Sequence, residues 1–312
     1  KRMTDAALPL SPQDAEKRAG FIAAATAYVI WGFLPLYLKL VAFAGAAEVL
    51  GQRILWSIPA AAIAIYFMSG GGAHAFRDFR SALTPKMLLT LTASSAFIFV
   101  NWGIYVYLVL SERVIESALA YFLAPLVAVA VGVLFFKERI TIAQIIALAL
   151  ALVGVVVQGL ALGAPPWMAL ALCATWSAYA VIRKRAPVPA AVGMLIETLA
   201  LAPLAAGLLW WAGQQAPLAF TFGWSEASLL ALAGPLTAIP LMAFAFGARR
   251  VTFVTLGLLQ FLAPTLQFAT GILFGEPFTV LRGVSFALIW AGLVFFAWDT
   301  LSRARAVPPP AE

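Results

Sequence analysis

The chain of 312 residues has one cysteine, one histidine and few charges. A lone cysteine excludes an intrachain disulfide. One cysteine with one histidine also excludes a Cys/His zinc site or an iron–sulfur cluster built within one chain, so no metal and no cofactor is expected. Charged residues are 11% of the sequence and apolar residues 63%, against roughly 25% and about 45–50% in a soluble domain. Water is not the main solvent of such a chain, and its expected surroundings are a lipid bilayer.

Other classes fall away on similar grounds. The formal net charge is +7, yet the lysines and arginines sit in small clusters between apolar stretches and form no basic face, so nucleic acid is not an expected partner. There is no HExxH, no pair of aspartates in neighbouring apolar runs and no serine beside a histidine at membrane depth, His74 falling between runs; the chain does not read as an enzyme. It also lacks the continuous polar pore or charged rings of a channel. Residues 1–18 mix charges of both signs with two prolines and do not read as a signal peptide.

What the sequence does contain is runs long enough to cross about 30 Å of hydrocarbon, which takes roughly 20 apolar residues each. Ten fit: 19–41, 46–68, 86–110, 114–136, 140–161, 166–184, 190–212, 226–247, 253–275 and 279–300. Lysine and arginine remain on the cytoplasmic side. Lys1, Arg2, Lys17, Arg18, Arg77, Arg80, Lys86, Lys137, Arg139, Arg183, Lys184, Arg185, Arg249, Arg250, Arg303 and Arg305 all fall on one side of a ten-span chain. Only Lys39, Arg113 and Arg282 fall on the other, with Arg53 inside a run. Both termini are thus expected in the cytoplasm: an N-terminal segment over 1–18 and a tail over 301–312.

The sequence also repeats itself. Phe122-Leu123-Ala124-Pro125 returns as Phe261-Leu262-Ala263-Pro264, each copy running on to a carboxylate, Glu138 or Glu276; Trp31 and Lys39 correspond to Trp176 and Lys184, and Pro59 to Pro203. Five runs per half is an odd number, so the second copy enters the membrane in the opposite sense. The expected fold is all-α and integral to the membrane: ten transmembrane helices as two inverted five-helix repeats, over 19–161 and 166–300. Inverted repeats give a cleft between the halves two near-equal ways to open, the basis of alternating access.

Several segments resemble a known family. Ala27-Tyr28-Val29-Ile30-Trp31-Gly32, Arg53-Ile54-Leu55-Trp56-Ser57, Val100-Asn101-Trp102 and Tyr121-Phe122-Leu123-Ala124-Pro125-Leu126 in the first half, with Gly193-Met194-Leu195-Ile196-Glu197-Thr198 and Gln260-Phe261-Leu262-Ala263-Pro264-Thr265 in the second, are similar to the drug/metabolite transporter superfamily. The resemblance is to its EamA-type members and, within them, to RarD-type permeases. It implies export of small metabolites, amino acids or drugs across the bacterial inner membrane. It also implies a central cavity lined by spans 1, 3, 4, 6, 8 and 9. Substrate identity does not carry over, because amino-acid exporters and proteins of chloramphenicol sensitivity look alike at this level.

The residues themselves nominate a site. Pro125 and Pro264 fall mid-run, where the carbonyls of Tyr121 and Gln260 lose their helical partner and must face protein, water or substrate. Around them Ser117, Tyr121, Pro125 and Gly132, and Gln260, Pro264, Gln267 and Gly271, recur at helical spacing. Such stripes either line a path or let helices pack closely. Tyr28 and Trp31 in the first run, Asn101, Trp102 and Tyr105 in the third, and Trp176 and Tyr179 in the sixth supply hydrogen bonds and ring faces suited to an amphipathic metabolite, although aromatics also anchor helices at interfaces. Arg53 and Glu197 are the deepest charges. An arginine or aspartate at a helix centre costs roughly 2.5–3.5 kcal/mol on insertion scales, so such groups pair, gate, or touch substrate or protons. Small residues at every fourth position, Ala143, Ala147 and Ala151 with Gly283, Ala287 and Ala291, suit packing within a monomer or a weak homodimer. The composite expectation is an exporter of small amphipathic molecules, foremost neutral, hydrophobic or aromatic amino acids, with multidrug efflux as the alternative.

Overall fold

A computed structural model describes residues 11–137, 140–161, 167–275 and 279–306. Its elements are α1 (Pro12–Leu40), α2 (Ala46–Met68), α3 (Gly72–Ala82), α4 (Pro85–Leu110), α5 (Val114–Phe136), α6 (Ile142–Ala161), α7 (Trp167–Arg185), α8 (Ala190–Gln215), a 3-10 turn at Ala219–Thr221, α9 (Trp224–Ala248), α10 (Phe253–Leu259), α11 (Leu262–Leu273) and α12 (Val280–Ala306). No strand occurs among the described residues. The fold is all-α, and helix occupies every interval expected from hydropathy. Six stretches are both long and apolar enough to cross a membrane: α1, α2, α4, α8, α9 and Thr255–Leu273.

The helices start and stop where local chemistry directs. Ser11 caps α1 by accepting from the Asp14 N–H at 3.2 Å, and Pro12 follows at a position where a missing N–H costs nothing. Thr84 and Pro85 open α4 in the same way. The cap moves the start of α1 back to Pro12, ahead of the apolar run that begins at 19. The interval after α2, read as a loop holding His74, contains α3 instead.

A further departure from the sequence reading concerns the ninth run. It is two helices, broken at Gln260 and Phe261. Pro264 has no N–H to bond back to Gln260, and the chain restarts its helix at Leu262. Its counterpart α5 runs through position 125 without a break; the Pro125 side chain lies outside the described residues, as do Glu138 and Glu276.

Polarity along the helices is inverted relative to a soluble bundle. On α2 the buried face carries Glu48, Gln52, Arg53, Ser57 and Ala61, whereas Ile63 and Phe67 are 58% and 76% exposed. Leucine or phenylalanine gains nothing by leaving lipid, so small and polar residues turn inward and apolar ones outward. Gly234 shows the same economy: a Cβ there would strike the backbone of Trp56, so only glycine lets α9 lie this close to α2.

The helices of the two halves interleave. α1 packs on α9 and α11, while α7 packs on α4 and α5; α2 lies against α8 and α9, and α4 against α8. α6 and α12, the last helices of each half, pair with each other. Ser285 Oγ donates to the Gly154 carbonyl at 2.6 Å across that pair.

Candidate functional site

A cavity lies among α1, α2, α4, α5, α7 and the α10–α11 break. Tyr28, Trp31 and Leu34 reach it from α1, Arg53 from α2, Asn101, Trp102 and Tyr105 from α4, Tyr121 from α5 and Trp176 from α7; Gln260, Ala263 and Gln267 complete it. Nine of the ten residues nominated as substrate contacts therefore share one space. The tenth, Tyr179, stands behind the wall, 5.6 Å between centroids from Trp176 and stacked on Phe244. Leu34 and Ala263 were not nominated, since nothing in an apolar run sets one leucine or alanine apart.

Much of the wall's polarity is already engaged. Asn101 Nδ2 donates to the Leu172 carbonyl at 2.9 Å and to Thr175 Oγ1 at 3.1 Å, tying α4 to α7. Gln267 Nε2 donates to the Trp31 carbonyl at 3.2 Å and reaches the Tyr105 hydroxyl at 3.4 Å, tying α11 to α1 and α4. Its Oε1 is buried with no hydrogen-bond partner. Arg53 Nε donates to Thr237 Oγ1 at 2.6 Å, and its guanidinium carbon lies 4.7 Å from the Trp102 ring centroid. Its Nη1 is likewise buried without a partner.

The rings form a cluster and a separate pair. Trp31 meets Tyr28 edge-on at 5.5 Å and Trp176 edge-on at 5.0 Å, and Tyr105 meets Tyr121 at 5.8 Å. Phe244 of α9 touches Tyr28, Trp31, Trp176 and Tyr179. One phenylalanine among 23 carries no sequence signal for such a central place. Beside these rings, toward Ala180, a second, smaller space opens among Val131, Ser177, Phe244 and Leu256. Tyr28, Trp176 and Gln260 border both spaces and form the waist between them.

Arg53 and Glu197 do not pair with each other. Glu197 Oε1 accepts from Ser94 Oγ at 2.7 Å and faces Arg183 Nε at 3.7 Å, in a site where both charged side chains are 3% exposed. Arg183 was read as part of a cytoplasmic cluster; it turns inward, and its Nη2 donates to the Ala190 carbonyl at 3.3 Å. Gly193 leaves the room it occupies. Its neighbour Lys184 donates to the carbonyls of Ala248 and Val251, closing the C-terminal end of α9. Pro264 sits at the helix break beside the cavity, one turn after Gln260.

Comparison with known proteins identifies the family. The EamA-like transporter family matches residues 18–159. The chain is 40% identical over 300 residues to an uncharacterized transporter of Pseudomonas aeruginosa, covering 95% of this chain and 99% of that protein. It is 39% identical to protein RarD of Streptomyces exfoliatus, over 93% of this chain and 91% of the relative. A further relative, 30% identical over 92% and 96% of the two chains, is the chloramphenicol-sensitive protein RarD of Pseudomonas aeruginosa. A protein of known crystal structure shares the fold at 22% identity, with a TM-score of 0.67 over 89% of this chain and 97% of that one. Family, relatives and fold converge, and the chain belongs to the EamA-like transporter family with the RarD proteins as homologues.

Proposed function

We propose that this transporter carries small amphipathic metabolites, a class that includes neutral, hydrophobic and aromatic amino acids, out across the bacterial inner membrane by alternating access. The observation that carries the reading is the cavity in which Tyr28, Trp31, Trp102, Tyr105, Tyr121 and Trp176 surround a few polar groups. Pockets that are mostly apolar with a small number of placed hydrogen-bonding groups suit such ligands.

The ten-span inverted reading is supported by how the halves exchange partners. Matching span for span, the packing of α1 on α9 and α11 has its counterpart in that of α7 on α4 and α5. Repeats that interleave in this way enclose a single site at their interface and can open it to either side. The waist at Tyr28, Trp176 and Gln260 would then separate the site from the cytoplasmic space below it. The distribution of lysine and arginine supports a cytoplasmic position for both termini. Packing of α6 on α12 within one chain favours a monomer.

A second reading, efflux of chloramphenicol-like drugs, is favoured by the name of one relative. Purified protein in liposomes separates the two. Saturable flux of an aromatic amino acid or related metabolite, competed by excess unlabelled compound, is the expected result. Flux of chloramphenicol alone would favour the second reading, and no flux of either overturns the proposal.

A further inference from the structure

Among the described residues lining the cavity, Arg53 alone carries a charge. Arg183, buried to the same extent, is faced by the Glu197 carboxylate at 3.7 Å, although its Nε and Nη1 make no hydrogen bond; buried charges in membrane helices pair with one another or with backbone carbonyls. Around Arg53 the titratable neighbours are the phenols of Tyr37, Tyr105 and Tyr121. A hydroxyl holds its Nε and a ring face covers its plane, but neither neutralises it, and Nη1 remains unbonded although the side chain is buried. The second unanswered group in the same wall is the Gln267 Oε1, an acceptor.

We propose, building on the cavity as the substrate site, that Arg53 holds a carboxylate of the cargo. The carboxylate is obligatory, and an ammonium group is dispensable. One fixed positive charge in a low-dielectric enclosure is balanced by one negative charge, which a monocarboxylate supplies. A phosphate monoester, at about −1.5 to −2, would leave charge over. An ammonium group finds no carboxylate in the described wall, only ring faces such as those of Trp31 and Trp176, whose attraction for a cation is weaker than a hydrogen bond between charged groups. The open acceptor, Gln267 Oε1, is a neutral amide oxygen that takes a hydroxyl as readily as an amine. The cargo is then an aromatic or apolar body bearing a carboxylate, with a neutral hydrogen-bond donor as a useful addition.

Four compounds with the same benzyl body test this on the full chain in detergent, by calorimetric titration: phenylpropanoate, phenylalanine, phenylpropanamide and phenylethylamine. A charge-assisted hydrogen bond implies that the two carboxylates bind at least about tenfold more tightly than the amide or the amine, with phenylpropanoate at least equal to phenylalanine. Amide or amine binding within about threefold of the carboxylates, a difference smaller than such a bond supplies, overturns the proposal and leaves the cavity reading standing. Binding of none of the four overturns both. In Arg53→Gln the carboxylates should fall to the level of the amide while the amide binds as before, which also reports a folded cavity. A carboxylate preference that survives in Arg53→Gln overturns the assignment. If that variant does not fold, the order of the four compounds on the unaltered chain decides.

Discussion

Trp31 and Trp176, which occupy corresponding positions of the sequence repeat, meet edge-to-face with ring centroids 5.0 Å apart and planes at 85°. α1 and α7 thus touch through side chains at corresponding positions of the repeat. The tryptophan pair closes one side of the cavity, and its neighbours Tyr28, Tyr179 and Phe244 hold it in place.

Trp176→Ala removes three ring contacts at once from a side chain that is buried. Truncating a core tryptophan costs about 3–5 kcal/mol, and the edge-on contact with Trp31 adds about 0.5–1.5 kcal/mol beyond area. Denaturant unfolding in micelles should show a loss of at least 3 kcal/mol on that scale for Trp176→Ala and a smaller loss for Trp176→Phe, which keeps a ring. A loss below about 1 kcal/mol for the alanine variant would mean the cluster is not packed as described.

Glu197 and Arg183 make an asymmetric prediction. Removing one partner of a buried pair leaves the other charge unanswered, at about 3–5 kcal/mol, whereas removing both can be neutral or better. Glu197→Leu alone should therefore destabilise strongly, and Arg183→Met with Glu197→Leu should recover most of the loss. The double-variant cycle in micelles measures this directly. Additive losses would show that the two side chains act independently.

Glu48 docks the segment after α8 by accepting the backbone N–H groups of Ala219 and Phe220, both at 2.9 Å. Hydrogen bonds to a charged group contribute about 1.5–3 kcal/mol each. In Glu48→Ala the amides of residues 219 and 220 should exchange with solvent at least tenfold faster, a change of about 1.4 kcal/mol. Unchanged exchange there would mean that the 3-10 turn holds itself.

Topology can be read with an impermeant thiol reagent after Cys173→Ser, since that buried cysteine is the sole native thiol. Single cysteines at positions 80 and 185 should react from the same face of the membrane, and those at 112 and 222 from the other. Reaction of 80 and 185 from opposite faces would break the inverted ten-span scheme.

The parts of this protein that the sequence made legible are those with a distinctive chemical marker. Arg53, Asn101, Trp102 and Gln267 stand out because polar or amphipathic groups in an apolar run need a reason to be there, and all four reach the cavity. Leu34, Ala263 and Phe244 were invisible, because an apolar residue looks the same whether it faces lipid, protein or cargo. The inward turn of Arg183 was hidden for another reason. It stands in a row of three cations, and only the close approach permitted by Gly193 decides which of them turns inward. The separate partners of Arg53 and Glu197 depended on tertiary neighbours, Thr237 and Ser94, far away in the chain. The helix break at Gln260 followed from Pro264, yet the unbroken α5 shows that the same Phe-Leu-Ala-Pro motif tolerates continuous helix when its surroundings allow it.

The pairing of α6 with α12 gives the molecule a keel. Ser285 is fastened to the Gly154 carbonyl, and Gly292 fits against the Ala147 backbone with no room for a Cβ. Two rods locked at both points slide past each other only by breaking those contacts. If the proposed alternating access tilts one half against the other, this seam is where the two are fastened, and the helices around the rings are the ones left to swing.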